Sequence, residues 1–120
     1  MPKAESGLPT KVKIGAFTYP VEYVTDIVRD ATPYSITFSM DHISRDNQKI
    51  RIKRLGSKPR MVETLVHEIF HGIAEENALY DIKGFAEQEE KIVDRMSKGF
   101  TKFLVDNPGF VAKLEQALKT

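Results

Sequence analysis

Residues 57–76 read SKPRMVETLVHEIFHGIAEE, and this stretch decides how the chain is interpreted. Ser57 and Pro59 indicate a helix start, because proline fits the first turn of a helix. The apolar residues that follow recur at helical spacing and predict one buried stripe. They are Val62, Leu65, Val66, Ile69, Phe70 and Ile73. The stretch therefore predicts a long amphipathic helix that packs against a core.

The pattern HExxH lies inside this helix, at residues 67–71. Residues four apart lie one above the other on a helix, so His67 and His71 can bind one ion. Imidazole is a common zinc ligand, and Glu68 is placed to take a proton from a metal-activated water as a general base. At about 100° per residue, both histidines lie on a different face from the main apolar stripe, which favours a ligand role over a place in the core.

Two histidines do not complete a catalytic zinc site, which normally has three protein ligands and a water. The remaining histidine, His42, precedes the motif in the region of predicted strands, so a carboxylate is the expected third ligand. The second predicted helix begins with an acidic cluster of Glu87, Glu89 and Glu90. An acidic helix start is also typical of a solvated end, because the helix dipole favours negative charge there. The composition of the cluster does not decide which of the three glutamates is the third ligand.

The residues before the HExxH helix predict a small, mostly antiparallel sheet. Alternation of apolar and polar residues predicts strands over residues 11–14 and 49–53, the latter with a basic outer face. Residues 34–40 are rich in aromatic and β-branched side chains, which also predicts a strand. Gly15 lets the chain turn back after the first strand. The segment that follows is interpreted as a strand that runs into a short helix ending near Asp30.

Helices are also predicted after the motif, beyond a break at residues 81–84. Apolar residues at helical spacing mark the inner face of the second long helix: Ile92, Val93, Met96, Phe100, Phe103 and Leu104. The sequence Asn107-Pro108-Gly109 ends this helix, and residues 110–118 form a short last helix. Residues 1–9 are expected to be a flexible leader, and residues 10–120 a single α+β domain.

Composition excludes several classes of protein. A length of 120 residues fits one domain. The chain has no cysteine, which excludes disulfides, iron–sulfur clusters, thiolate zinc sites and a thiol nucleophile. No apolar run reaches the roughly 18 residues of a membrane span, and the N-terminus lacks the apolar core of a secretory signal. The net charge of +1 argues against extensive wrapping of nucleic acid. A cytoplasmic protein with no membrane partner is expected.

The sequence resembles the zincin metallopeptidases, and the gluzincins among them. In that group the third ligand is a glutamate about twenty residues after the second histidine, and an aspartate four residues later holds the first histidine. Glu90 follows His71 by nineteen residues, and Asp94 follows Glu90 by four. The resemblance implies His67, His71 and Glu90 as metal ligands, Asp94 as the partner of the first ligand, and Glu89 and Glu87 as alternative third ligands.

The layout is also similar to that of the small zincin-like metallopeptidase proteins of phages and bacteria. There a short sheet precedes a TLxHEIxHA-like helix, and a helix with an ExxV start and an Asn-Pro stop follows. The matching residues here are 64–72 (TLVHEIFHG), 90–93 (EKIV) and 107–108. The resemblance implies a minimal zincin-like fold, a Zn²⁺ cofactor, and hydrolysis of peptide bonds in a peptide or protein substrate. It also implies that the protein is located in the cytoplasm of a bacterial or phage-infected host cell.

A second interpretation comes from a different class of function. Residues 45–60 carry seven basic side chains against the single acid Asp46, a local balance of +6. Such a surface can hold nucleic acid, although a solvated strand face has the same composition. The alternative is therefore a non-catalytic zincin-like module with a structural or vestigial metal site. It would bind a protein or nucleic-acid partner through residues 45–60.

The proposed hydrolysis would also use a side chain that donates a hydrogen bond to the transition state. Tyr80, His42 and Arg95 are candidates, and their spacing in the sequence does not favour one over the others.

Overall fold

A computed structural model of the chain describes residues 7–24, 34–36, 49–54 and 57–119. The strands are β1 (Lys11–Ile14), β2 (Phe17–Val24), β3 (Tyr34–Ile36) and β4 (Ile50–Lys53). The helices are α1 (Lys58–Glu76), a short 3₁₀ turn (Leu79–Asp81), α2 (Phe85–Asp106) and α3 (Phe110–Leu118). The predicted α+β class is confirmed. The first part of the predicted leader, the helix predicted to end near Asp30, the far end of the strand at 34–40 and His42 lie outside the described residues.

The strands form one mixed sheet in the order β1-β2-β4-β3. β1 and β2 are an antiparallel hairpin, β3 and β4 are antiparallel, and β2 and β4 run parallel between them. Gly15 forms the hairpin turn with φ at +63°, a conformation that glycine adopts without the steric cost of a β-carbon. β4 lies between β2 and β3, so the chain passes through the edge strand β3 before β4 pairs in parallel with β2.

The core lies between this sheet and α1. Val21 and Tyr23 pair with Ile50 and Ile52 across the parallel strands, and all four are buried. α1 covers them with the buried side chains of Met61 and Leu65 and the partly buried Ile69. The hydroxyl of Tyr23 donates to the Pro9 carbonyl at 2.7 Å, which satisfies its polar end at the edge of the core.

Local signals set the ends of α1 and the connection to α2. The Ser57 side chain caps α1 by accepting a hydrogen bond from the Arg60 amide at 3.4 Å. At the other end, the Glu76 carboxylate lies against the hairpin turn, where a β-carbon added at Gly15 would overlap it. The chain leaves α1 through Ala78, which has φ at +54°, before the 3₁₀ turn and the start of α2.

The predicted apolar stripes are only partly buried. On α1, Leu65 is buried and Ile69 packs against the core, but Ile73 is 41% exposed. On α2, Val93 is the one member of the predicted inner face that is buried, and no residue of α3 is buried. The physical reason is that the sheet covers one side of α1 and α2 packs on another. The apolar surface that the sequence predicts on α1 and α2 is therefore larger than the area that the described residues bury.

Across the part of the chain that the structure describes, no helix combines the length and the apolar character needed to cross a membrane.

Candidate metal centre

Helix α1 brings the two histidines of the HExxH pattern together. Their Nε2 atoms lie 3.2 Å apart, and the two rings meet edge to face with centroids 4.8 Å apart. His67 is buried, and His71 is partly exposed. This is the geometry expected for residues four apart on one helix, and it points both Nε2 atoms toward α2.

Glu90 on α2 completes the group. Its Oε1 lies 2.9 Å from Nε2 of His71, and its Oε2 lies 3.1 Å from Nε2 of His67. The ligand atoms of these three residues all lie within 4.8 Å of one another, and no other such group occurs among the described residues. The structure thus places the three residues predicted as ligands around one point.

The two imidazole nitrogens have a separation suited to a small tetrahedral cation. Ligand atoms about 2.0–2.1 Å from a tetrahedral zinc ion lie about 3.3–3.4 Å from one another. The Nε2 atoms of His67 and His71, 3.2 Å apart, are close to that separation. Glu90 reaches them through different oxygens, Oε1 to His71 and Oε2 to His67, and with one oxygen counted per residue the three ligand atoms lie within 4.8 Å of one another. Two imidazoles and a carboxylate are also a donor set that zinc accepts.

Carboxylates also face the outer ring nitrogens of both histidines. Oε2 of Glu89 lies 2.8 Å from Nδ1 of His71, within hydrogen-bond distance. Oδ1 of Asp94 lies 3.8 Å from Nδ1 of His67, an ion-pair distance, while its other oxygen accepts from Lys98 at 3.0 Å. Such outer partners orient a ligating imidazole and fix which nitrogen carries the proton.

Glu89 has a different role from the one that the sequence predicts. The sequence makes it an alternative ligand, but its carboxylate faces the nitrogen of His71 that points away from Glu90. Consecutive residues on a helix point about 100° apart, so adjacent glutamates reach different sides of one ring. This spacing is a signal in the sequence that would have separated the two roles.

The structure does not place the other predicted residues in the group of His67, His71 and Glu90, although Tyr80 lines a small cavity together with Glu89. Glu87 is exposed in the first turn of α2 and is not among the clustered side chains. Tyr80 is 56% exposed and Arg95 is exposed. His42, the remaining candidate donor, lies outside the described residues.

Glu68 is buried and has an unusual environment. Its side chain is fully buried, and within the described structure neither carboxylate oxygen has a hydrogen-bond partner. Burial raises its pKa to about 9, and the negative charge of Glu90 adds to the effect. A buried, unpaired carboxylate is costly, and such groups occur at sites that bind ions or perform chemistry.

Burial also acts on His67. It lowers the pKa of the imidazole below its usual value of 6.5, although the nearby Glu90 opposes the shift. A lowered pKa keeps the ring neutral near pH 7, which is the form that binds a metal. The electrostatics of His67 are therefore compatible with the ligand role predicted from the motif.

Comparison of the chain with known proteins supplies no further guide. No protein family, curated protein or solved structure matches it.

Proposed function

We propose that this protein is a zinc-dependent metallopeptidase, a hydrolase of peptide bonds in peptide or protein substrates. His67, His71 and Glu90 hold the ion. The observation that carries the proposal is the meeting of the two HExxH histidines with the Glu90 carboxylate, with one ligand atom of each residue within 4.8 Å of the others. The minimal zincin-like fold is part of the same proposal, supported by the helix that carries the motif and the second helix that supplies the carboxylate.

The residues have distinct roles in the proposed reaction. A zinc ion held by His67, His71 and Glu90 would supply a Lewis acid for the scissile carbonyl and for the attacking water. Glu68 takes a proton from the attacking water and passes it to the leaving amine as the C–N bond breaks. Glu89 and Asp94 hold the outer nitrogens of His71 and His67, which keeps both Nε2 atoms directed at the site.

The environment of Glu68 supports its assignment as the base. The carboxylate follows His67 directly in the chain, and Glu90 is near enough to raise its pKa. Because the group is desolvated, added positive charge nearby strongly favours its ionised form. A desolvated carboxylate is also a stronger proton acceptor once ionised than one in bulk water.

The metal proposal is tested by zinc affinity. Zinc binding to wild type and to Glu90→Ala is measured by competition with a chromogenic chelator after the protein has been stripped of metal. Glu87→Ala is the matched control, because Glu87 is an exposed glutamate near the start of the same helix. We expect stoichiometric binding by wild type and the control, and a loss of at least about 100-fold in Glu90→Ala. Weak binding by wild type would reject the metal site.

The catalytic proposal needs a separate experiment. Zinc-loaded wild type and Glu68→Gln are incubated with a mixture of unstructured peptides, and cleavage is followed by mass spectrometry. Glutamine keeps the shape of the side chain but cannot accept the proton, so the variant is expected to bind zinc and to lose at least about 100-fold in rate. Equal cleavage by the two proteins would reject Glu68 as the base.

One observation favours a second function, a non-catalytic binding module with a structural metal. Glu68 is fully buried, and a general base must reach the attacking water. In this alternative zinc binds with full affinity and stabilises the fold, but no peptide in the mixture is cleaved. A protein partner is then favoured over nucleic acid, because Lys49 and Arg51 lie 3.4 and 3.5 Å from Glu22, which offsets part of the charge of this basic surface.

A further inference from the structure

We infer that two copies of this chain associate through one continuous apolar surface on α1, α2 and α3. We call it the helical apolar surface. It consists of Phe70, Ile73, Ile92, Met96, Phe100, Phe103, Phe110, Val111 and Leu114. The inference is independent of the metal site and of the proposed reaction.

The surface begins in a groove between α1 and α2. This groove has a volume of about 220 Å³, and its walls include Phe70, Ile73, Ile92 and Met96. Its lining is apolar throughout, so it offers no hydrogen-bond partner that would orient a polar ligand. A groove of this kind is suited to apolar side chains.

A row of aromatic rings extends the groove to the end of the chain. The centroids of Phe70 and Phe100 are 5.8 Å apart, those of Phe100 and Phe103 are 6.2 Å apart, and those of Phe103 and Phe110 are 5.2 Å apart. On α3, Leu114 follows Phe110 by four residues and shares its face. The ring contacts therefore connect the exposed apolar residues of three helices into one surface.

The accessible area of the helical apolar surface is close to the area that one partner contributes to a protein–protein interface. Met96 is 59% exposed, Leu114 is 49% exposed, Phe70 is partly buried, and the other members are between 37% and 42% exposed. With about 200 Å² for a fully exposed large side chain, these residues together leave on the order of 700 Å² accessible. That exceeds the roughly 300–600 Å² of the largest apolar patch on a typical monomer. It approaches the roughly 800 Å² that one partner contributes to a stable interface.

The charge distribution favours a second copy as the occupant. The helical apolar surface contains no charged residue, and the chain has a net charge of +1, so two copies repel each other little. On α2, Lys98 pairs with Asp94 and Lys102 pairs with Asp106, so these four charges offset one another within each copy. A twofold axis would bring the same surface of each copy together, and a purely apolar surface is complementary to itself. Phenylalanine and methionine are also enriched in the cores of such interfaces.

Association through this surface leaves the candidate metal centre accessible. Ile92 follows Glu90 by two residues, so the two side chains point to nearly opposite sides of α2. Glu90 is the exposed member of the metal group, with 66% of its side chain accessible. A partner that covers Ile92 and Met96 therefore does not cover Glu90.

Sedimentation velocity of the full chain tests the inference at concentrations from about 1 to about 100 µM, the range in which interfaces of this size are populated. We expect a monomer–dimer equilibrium for wild type. Met96→Lys and Leu114→Lys each place an unpaired charge in the surface and should weaken association at least about 100-fold. Val105→Lys is the matched control, because Val105 is 72% exposed and lies on the opposite face of α2 from Met96.

A second measurement needs no variant. The Tm of a dimer rises with protein concentration, so wild type should unfold at a higher temperature at about 100 µM than at about 1 µM. Wild type that stays monomeric with a constant Tm overturns the inference. It is also overturned if the two surface variants dimerise like wild type, or if Val105→Lys also becomes monomeric. Binding of monomers to vesicles of neutral phospholipid, lost in Met96→Lys, would overturn it in favour of a lipid surface.

Discussion

Glu89 holds Nδ1 of His71 at 2.8 Å, on the side of the ring opposite the nitrogen that faces Glu90. With its proton on Nδ1 and donated to Glu89, the ring presents the lone pair of Nε2 to the site. Two adjacent residues of one helix thus contact both nitrogens of one imidazole. This relationship makes Glu89 a positioning residue for the metal ligand.

Removal of that contact should weaken zinc binding without removing a ligand. We expect Glu89→Ala to lower zinc affinity by about 10–100-fold, the usual effect of losing an outer partner of a ligating histidine. The loss should be smaller than in Glu90→Ala, and Glu89→Gln should restore part of it by accepting the same hydrogen bond. Chelator competition measures all three. Wild-type affinity in Glu89→Ala would show that the contact does not position His71.

Zinc should stabilise the folded protein in proportion to its binding. If zinc binds the folded state alone, a free concentration of 100 times Kd adds about 2.7 kcal/mol to the free energy of unfolding. We expect this increase in wild type, measured by urea unfolding with and without zinc, and its loss in His71→Ala. Zinc that stabilises both proteins equally would place the bound ion elsewhere.

Glu68 should make the metal-free protein less stable as the pH rises. Its pKa is about 9 in the folded state and near 4.5 in the unfolded chain, so below pH 4.5 it is protonated in both states. Between these values only the unfolded state releases the proton, and unfolding becomes more favourable with each pH unit. Glu68→Gln lacks this effect.

The measurement is the free energy of unfolding of both metal-free proteins at pH 5 and pH 8. The stability of Glu68→Gln relative to wild type is expected to rise by about 1–4 kcal/mol from the lower to the higher pH, at up to 1.36 kcal/mol per pH unit. A pH-independent difference between the two proteins would show that Glu68 is not desolvated as described.

Gly15 should be intolerant of a side chain. Alanine at this position would adopt φ near +63° and overlap the Glu76 carboxylate, so we expect Gly15→Ala to cost about 1–3 kcal/mol. Gly99→Ala is the control, because Gly99 lies in α2 with open space around it and should gain up to about 1 kcal/mol. Thermal and urea unfolding give both values. A loss that persists in full in Gly15→Ala combined with Glu76→Ala would assign the cost to the backbone alone.

The ends of the helices could be predicted from the sequence because their signals are local. Ser57 with Pro59 predicts the start of α1, and Asn107-Pro108-Gly109 predicts the end of α2 and the bounds of α3. A capping side chain or a glycine acts on the backbone within a few residues. Such signals need no knowledge of distant contacts.

Burial could not be predicted in the same way. Ile73 and Phe100 have the spacing of core residues, yet both are exposed, because burial depends on which other elements are present to cover a face. Glu89 is a similar case, because the resemblance to the gluzincins ranks Glu90 first as a ligand but does not say which imidazole nitrogen the carboxylate of Glu89 faces. The pairing of β2 with β4 depends on a crossover that no single strand specifies.

The packing of α2 has a consequence for the metal centre. Val93 is buried, and it fixes which side of α2 faces the rest of the protein. One residue inserted between Glu90 and Val93 would turn Glu90 by about 100° around the helix axis and move it by about 1.5 Å, while both histidines stay in place on α1. The short stretch of helix between Glu90 and Val93 therefore decides whether the carboxylate reaches the two imidazoles.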